Sequence, residues 1–231
     1  MEDADRLARD AAALSAVRRL EEGMTIGLGS GRAVWRVIDL IAERWRDRPR
    51  PPLRAVFASE ATRTHAVAAG IEVVELDGKS RLDIALDGAD EIDPRIDLIK
   101  GGGAALLREK LVISAAERFI VVAEARKRVD RLGATRDLPV EVVRFGWRDT
   151  RRRLLELVPT AELRTTTNGD PLVTDEGHHI LDCGVPKQGD LAILGELIKA
   201  TVGVVEHGFF LGVADTALLG TPDGTVERLK R

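Results

Sequence analysis

Thr25-Ile26-Gly27-Leu28 runs straight into Gly29-Ser30-Gly31-Arg32-Ala33, and Val34, Ile38, Ile41 and Trp45 then recur at helical spacing. Strand, glycine turn and helix in that order open a βαβ unit. Upstream, Leu7, Ala11, Leu14 and Val17 mark a first helix that ends by Gly23, where a left-handed C-cap costs little. Downstream of a linker from Pro49 to Pro52, short apolar runs at 53–57, 73–76, 84–86 and 119–123 alternate with helical stretches at 61–69 and 104–116. This alternation predicts an α/β fold with a largely parallel, doubly wound sheet and helices on both faces. In such sheets ligands bind beyond the carboxyl ends of the strands.

Past Leu132-Gly133 the pattern changes. Pro139 to Val143 and Glu162 to Thr166 read as strands, Arg151 to Leu157 as a helix, and Leu172 to Asp182 as a hairpin around a tight turn. A helix from Leu191 to Ala200 and a strand near Val204 complete a smaller α+β, ferredoxin-like set. The expected division is therefore an α/β catalytic domain, residues 1–133 and 206–231, interrupted by a small domain at 134–205. Phe209 to Val213 and Thr216 to Leu219 would be its last strands, followed by a short tail after Gly224. Arg151-Arg152-Arg153 reads as a solvated helix face.

Composition narrows the function classes. Of 231 residues 44% are apolar, enough for a buried core, and 35 Lys and Arg face 38 Asp and Glu for a formal charge of -3. No basic run is dense enough to track a nucleic acid, and with no Tyr, five Phe and three Trp the chain is poorly supplied for stacking on bases. Cys183 stands alone, which excludes an internal disulfide, and His65, His178, His179 and His207 lack metal-site spacing. Each of these reads as a packing or surface group, and Trp35 and Trp45 as core. The acidic Met1-Glu2-Asp3-Ala4-Asp5 start and the want of any membrane-length apolar stretch point to the cytoplasm.

Three loops and one helix carry the candidate chemistry. Glycines from Gly27 to Gly31 ahead of a helix either serve only the tight turn or offer backbone N–H groups to an anion; one small phosphate, helped by Arg32, suits them better than a dinucleotide. Asp87-Gly88-Ala89-Asp90 follows a strand, placing two carboxylates where the crevice of the sheet should be. They suit acid chemistry or hydroxyl binding, a hard metal ion, or simple Asx-turns; calcium-loop spacing is missing and Lys100 would compete with a cation. Lys100-Gly101-Gly102-Gly103 lets a ligand approach the backbone beside an ammonium able to neutralise an oxyanion, or Lys100 pairs with Asp93 or Asp97. Lys127 is either a further group on the same rim or a solvated lysine. On the following helix Ala105, Leu106, Val112, Ile113 and Ala116 form an apolar stripe with Glu109 in its middle. A carboxylate there sheds part of its hydration, which equips it as a general base; alternatively it pairs with Arg108, Lys110 or a distant lysine.

These loops resemble the three signature loops of ribose-5-phosphate isomerase, type A. Gly27 to Gly31, Asp87 to Asp93 and Lys100 to Lys110 carry the likeness, which continues through Ala125 to Asp130, Val173 to Gly177, Ile180 to Asp182 and Gly203 to Gly208. The resemblance implies that Glu109 is the catalytic base, that Lys100, Asp87 and Asp90 act with it at the sugar, and that Lys127 contacts substrate. It further implies a binding surface of Ser30, Gly31, Arg32, Ala33, Gly88, Ala89, Gly101, Gly102 and Gly103. By the same likeness the enzyme needs no metal or cofactor, assembles as a homodimer or homotetramer, and takes a small sugar phosphate rather than nucleic acid or membrane. Family members commonly carry Thr-Gly-Ser-Thr where this chain has Ser30-Gly31-Arg32-Ala33, so that hydroxyls give way to a guanidinium while Ser30 keeps the first. The stretch Phe57-Ala58-Ser59 is also leaner in hydroxyls than is usual.

The expected reaction interconverts D-ribose 5-phosphate and D-ribulose 5-phosphate through an enediolate, a step of the pentose phosphate pathway. Glu109 would move the proton, Lys100 and the glycine loop would stabilise the oxyanion, and Asp87 or Asp90 would open the furanose ring. Two other classes compete: a sugar-phosphate sensor that binds without reacting, and a CoA transferase-like enzyme with Glu109 as nucleophile.

Overall fold

The computed structural model describes residues 2–79 and 81–231. In chain order its elements begin with α1 (Glu2–Val17), β1 (Thr25–Leu28), α2 (Gly31–Arg44), β2 (Arg54–Phe57), α3 (Glu60–Ala68), β3 (Glu72–Val73) and β4 (Ile84–Asp87). Then follow β5 (Glu91–Ile92), β6 (Leu98–Ile99), α4 (Leu106–Ser114), β7 (Phe119–Glu124), β8 (Leu138–Val142) and α5 (Trp147–Leu154). The chain closes with β9 (Ala161–Leu163), β10 (His179–Cys183), α6 (Leu191–Ala200), β11 (Val204–His207), β12 (Phe209–Phe210), β13 (Thr216–Gly220) and β14 (Val226–Lys230). Two compact units result: one from the segment ending at Ala89 with Arg108–Arg128 and Gly212–Arg231, the other from Asp90–Leu107 and Val129–Leu211.

Among the described residues the first unit holds a seven-stranded sheet in the order β14-β13-β7-β4-β1-β2-β3, parallel except for the β13–β14 pair. Strand β1 explains why both faces are covered. Ile26 and Leu28 point into a cluster with Ala12, Ala13 and Ala16 of α1 and Val34, Val37, Ile38 and Ile41 of α2. Gly27 points the other way, where a Cβ would come within 2.5 Å of a Val112 methyl on α4. The glycine lets α4 lie against the sheet. Trp45 joins the α2 core cluster in part, with the Arg44 guanidinium 4.5 Å from its ring centre. Trp35, expected in the core, is instead 38% exposed: one residue on from Val34, it is turned about 100° off the buried stripe. There it stacks on His65 and donates to Thr62 Oγ1 at 3.2 Å.

Other expectations change as well. The tail after Gly224 is strand β14, joined to β13 by a turn in which Thr221 donates to Thr225 O. Its Glu227, Arg228 and Lys230 suit an exposed edge strand and hide the apolar alternation that marks inner strands. Phe209 and Phe210 pair with β6 in a three-stranded sheet, β12-β6-β5, of the second unit and not with the main sheet. Helix α4 begins at Leu106, two residues later than the spacing predicts, because Ala104 sits in the left-handed region (φ 59) as part of the glycine turn.

The second unit's larger sheet runs β11-β8-β10-β9, all antiparallel. With α5 after β8 and α6 after β10 this is the strand-helix-strand-strand-helix-strand arrangement of ferredoxin-like domains. Leu138, Val140 and Val142 from β8 and Leu181 and Cys183 from β10 pack with Leu154, Leu191 and Ile198 of the helices. Helix α5 starts at Trp147, ahead of the expected 151–157, because Gly146 turns the chain in the left-handed region (φ 68) and Thr150 and Leu154 supply the buried face. The arginine run does lie outward in part: Arg152 and Arg153 pair with Asp149, but Arg151 reaches Ala161 O and Glu162. Of the expected hairpin at 172–182 only the turn at Thr174–His178 and one strand, β10, are found, and β10 pairs with β8 and β9 and not with residues 172–174. The second unit also differs from the expected 134–205 segment by including residues 90–107, because β5 and β6 pair with each other and β6 with β12.

Cys183 is fully buried, and burial, then the nearby carboxylates Asp182 and Asp137, push its thiol up to about 12. Native protein at pH 8 should therefore resist iodoacetamide, while urea-unfolded protein labels at the ordinary thiol rate. Rapid labelling of the native form, followed by mass spectrometry, would show that this strand opens.

Candidate active site

The first unit gathers several of the candidate residues at the carboxyl ends of two neighbouring strands. Leu28 and Leu86 are partners in the β1–β4 ladder, and the Gly29 N–H continues it to Leu86 O at 3.0 Å. The next residue of β4, Asp87, is 1% exposed, and a Cβ on Gly29 would fall inside its carboxylate. Only glycine fits there. Oδ1 of Asp87 accepts from Gly88 N at 2.7 Å and from Ser30 N at 3.2 Å, so this carboxylate shapes the first glycine loop. Gly31 follows in the left-handed region (φ 82), turning the chain into α2, and Ala33 is buried beside Gly88 while Arg32 is exposed.

Ser30 is the N-cap residue of α2, yet its hydroxyl does not cap the helix. It donates to Glu109 Oε1 at 2.5 Å. Glu109 is 3% exposed on the α4 face that also buries Leu106, Val112 and Ile113. Helix spacing therefore located a buried acid correctly. Its neighbour Arg108 turns to Glu60 at 2.8 Å. The binding loop expected to serve a ligand thus also holds the expected base.

In the second unit Asp90 Oδ2 accepts from Gly102 N at 2.8 Å, and Asp90 N donates to Ile99 O. Lys100, 3% exposed, donates its backbone N–H to Gly208 O, and its ammonium lies 5.5 Å from the centre of the Phe210 ring. A Cβ on Gly208 would collide with the Lys100 carbonyl, which accounts for glycine at that position. Gly101 takes φ 104, and its carbonyl accepts from Ala104 N and Arg164 Nη1. Gly102 and Gly103 are exposed. Asp93 and Asp97 engage Arg95. Glu91 is fully buried and accepts from Gly133 N, Thr135 N, Thr135 Oγ1 and Arg136 N at 2.5–2.8 Å.

Residues 54–224 match the family model of ribose 5-phosphate isomerase A, also called phosphoriboisomerase A. The chain belongs to that family. A ribose-5-phosphate isomerase A from Roseiflexus sp. (strain RS-1) is 47% identical over 223 residues, covering 96% of each chain. Among solved structures, ribose 5-phosphate isomerase from Plasmodium falciparum superposes with a TM-score of 0.92 at 34% identity, covering 98% of this chain and 99% of that one. A D-ribose-5-phosphate isomerase in complex with phospho-erythronic acid gives a TM-score of 0.91 at 34% identity, with 96% and 97% covered. Among the described residues no helix is long and apolar enough to cross a membrane.

Sequence reasoning missed two groups of the first unit, Glu124 and Arg9, which stand behind the expected Lys127. The Lys127 ammonium, in the short turn after β7, donates to Ala89 O at 2.5 Å and lies 3.6 Å from Glu124 Oε2. Glu124 in turn takes both Nε and Nη2 of Arg9 from α1 on Oε1, at 3.0 and 2.8 Å. The available signal was a single acid closing the otherwise apolar run Phe119 to Ala123. Burial is the largest influence on Glu124 and would raise its pKa, but Lys127, backbone N–H and Arg9 together hold it below the ordinary 4.5.

A carboxyl group depressed by folding contributes stability above its unfolded value, about pH 4.5, and loses it as pH falls through the lower folded value. Glu124→Gln should therefore destabilise by about 1–3 kcal/mol at pH 7. In thermal melts the gap between wild type and variant should narrow progressively as pH falls below 4.5. A gap that persists unchanged at pH 3 would remove the charge from the account.

Proposed function

We infer that Glu109 is the base of an aldose–ketose isomerase. The activity is that of the family: interconversion of D-ribose 5-phosphate and D-ribulose 5-phosphate in the pentose phosphate pathway. Moving between these sugars takes a proton from C2 of the open-chain aldose, giving an enediolate, and returns it at C1. One group must stand between the two carbons, and one must neutralise the oxygen that gains charge. The buried carboxylate of Glu109, held by Ser30 at 2.5 Å, is the observation that carries the first assignment. Holding one oxygen restricts how the group can turn, which favours proton transfer between adjacent carbons.

Lys100 and the N–H groups of Gly101, Gly102 and Gly103 are assigned to the enediolate oxygen, where fixed donors contribute more than they would in water. Asp87 or Asp90 opens the furanose ring and moves protons between oxygens. Ser30, Gly31, Arg32 and Ala33, with Gly88, Ala89 and Lys127, bind the substrate, the phosphate being drawn to backbone donors at the start of α2. Phospho-erythronic acid, held by a relative, fits this chemistry: its planar carboxylate imitates the flat, oxygen-rich end of an enediolate. No observation favours a sensor or an acyl-transfer enzyme.

We also assign the protein to the cytoplasm as a homodimer or homotetramer. In support, Cys183 is a buried free thiol, suited to a reducing compartment. The second unit exposes Phe145 (95%) and Val202 (75%), with Ile193 and Leu197 on α6, side chains that a second copy would cover. Sedimentation giving only the monomer mass at micromolar protein would reject the assembly.

Purified protein should convert ribose 5-phosphate to ribulose 5-phosphate with or without a chelator. Glu109→Gln should lower kcat about 10²–10⁴-fold, the usual worth of a general base, with phospho-erythronic acid binding changed only a few-fold. Retention of more than about a tenth of the wild-type rate, a far smaller loss than a general base supplies, would refute the assignment.

A further inference from the structure

The run of three glycines in the second unit, Gly101-Gly102-Gly103, is held in place by a residue no sequence motif singles out. Arg164 follows β9, and its backbone is fixed on both sides: its N–H donates to Ile180 O and its carbonyl accepts from Leu172 N, each at 2.9 Å. Its guanidinium forms a fork on Asp182 of β10, Nε to Oδ2 at 2.9 Å and Nη2 to Oδ1. The remaining nitrogen, Nη1, donates to Gly101 O at 2.7 Å and Gly102 O at 3.1 Å.

Those two carbonyls belong to successive peptide planes. The plane joining Gly101 to Gly102 is held at its carbonyl by Arg164 and at its N–H by Asp90. In the plane joining Gly102 to Gly103, Arg164 holds the carbonyl; because the peptide is trans and planar, that also fixes the direction of the Gly103 N–H. Without such anchors a run of glycines samples both signs of φ, and donors that must be oriented during the reaction contribute less to it. Lysine could not replace this arginine, since one ammonium on a flexible stem cannot fork a carboxylate and serve two carbonyls in a plane.

We propose that Arg164, aimed by Asp182, is a positioning residue that pre-orients the glycine-loop peptides and the Asp90 carboxylate for isomerisation, an inference that rests on the isomerase reading above. Arg164→Ala should lower kcat about 10- to 100-fold with KM changed less than about threefold, the pattern of a misplaced rather than a missing group. Millimolar guanidinium should restore part of that loss, and Arg164→Lys should fall between wild type and alanine. Hydrogen exchange read without substrate should show the Gly102 and Ala104 N–H groups of Arg164→Ala exchanging at least about tenfold faster, with Val140 and Leu181 unchanged.

A kcat within about twofold of wild type, too small for a displaced catalytic donor, would overturn the proposal. So would unaltered exchange at Gly102 and Ala104, or a loss of protection that extends to Val140 and Leu181. Wild-type protein that fails to isomerise ribose 5-phosphate would instead overturn the isomerase reading. The exchange measurement would then still decide whether Arg164 holds the loop.

Discussion

Burying a carboxylate costs several kcal/mol unless donors surround it, and the first unit is organised around that constraint at Asp87. The side chain occupies the volume a Cβ on Gly29 would need, so the strand end of β1 must be glycine and the chain must turn there. The turn brings Ser30 N to the carboxylate and sends the Ser30 hydroxyl to Glu109. One steric fact about residue 29 thus sets the geometry of an acid on a helix eighty residues away in sequence. The two buried acids share Ser30 as a common donor, backbone to one and side chain to the other.

The second unit repeats the device with different chemistry around it. Glu91 gathers the N–H groups of residues 133, 135 and 136, and Glu141 takes the Thr174 hydroxyl and His178 Nδ1. Both acids are almost fully buried, and each ties down a loop that has no ladder of its own. Charge-assisted hydrogen bonds of this kind are stronger than neutral ones, and removing the acid would strand several donors at once. The irregular segments at 133–136 and 174–178 are thereby anchored to strands β5 and β8.

Much of this was legible in the residues. Glycine runs after apolar strands, paired aspartates at a strand end and an acid within a helical apolar stripe each have a local cause, and each stands where its spacing put it. What escaped reading depends on partners remote in sequence. Arg9 and Glu124 are separated by 115 positions, and nothing near either announces the other. The edge strand β14 hides its alternation under charges, although Pro222-Asp223-Gly224 marked the turn before it. Phe209 and Phe210 read as a strand in either sheet, and only pairing with β6 decides between them. Arg164 lies within Glu162 to Thr166, read as a strand, and nothing beside it in sequence names the glycine loop that it holds.

The line Arg9, Glu124, Lys127 shows how position and charge are traded at the carboxyl end of β7. Two cations and one acid leave a single positive charge in excess, whereas the two cations alone would attract an anion more strongly at long range. Glu124 sacrifices that attraction for geometry. Its pKa is held down, so it stays ionised at neutral pH and keeps Lys127 beside Ala89 O at the end of the acidic loop. Exposed lysines lose considerable side-chain entropy when a ligand immobilises them. A lysine already half-buried between an acid and a carbonyl has lost part of that freedom on folding. On the reading that Lys127 contacts a small phosphorylated sugar, an ammonium fixed beforehand lowers the entropy still to be lost on binding.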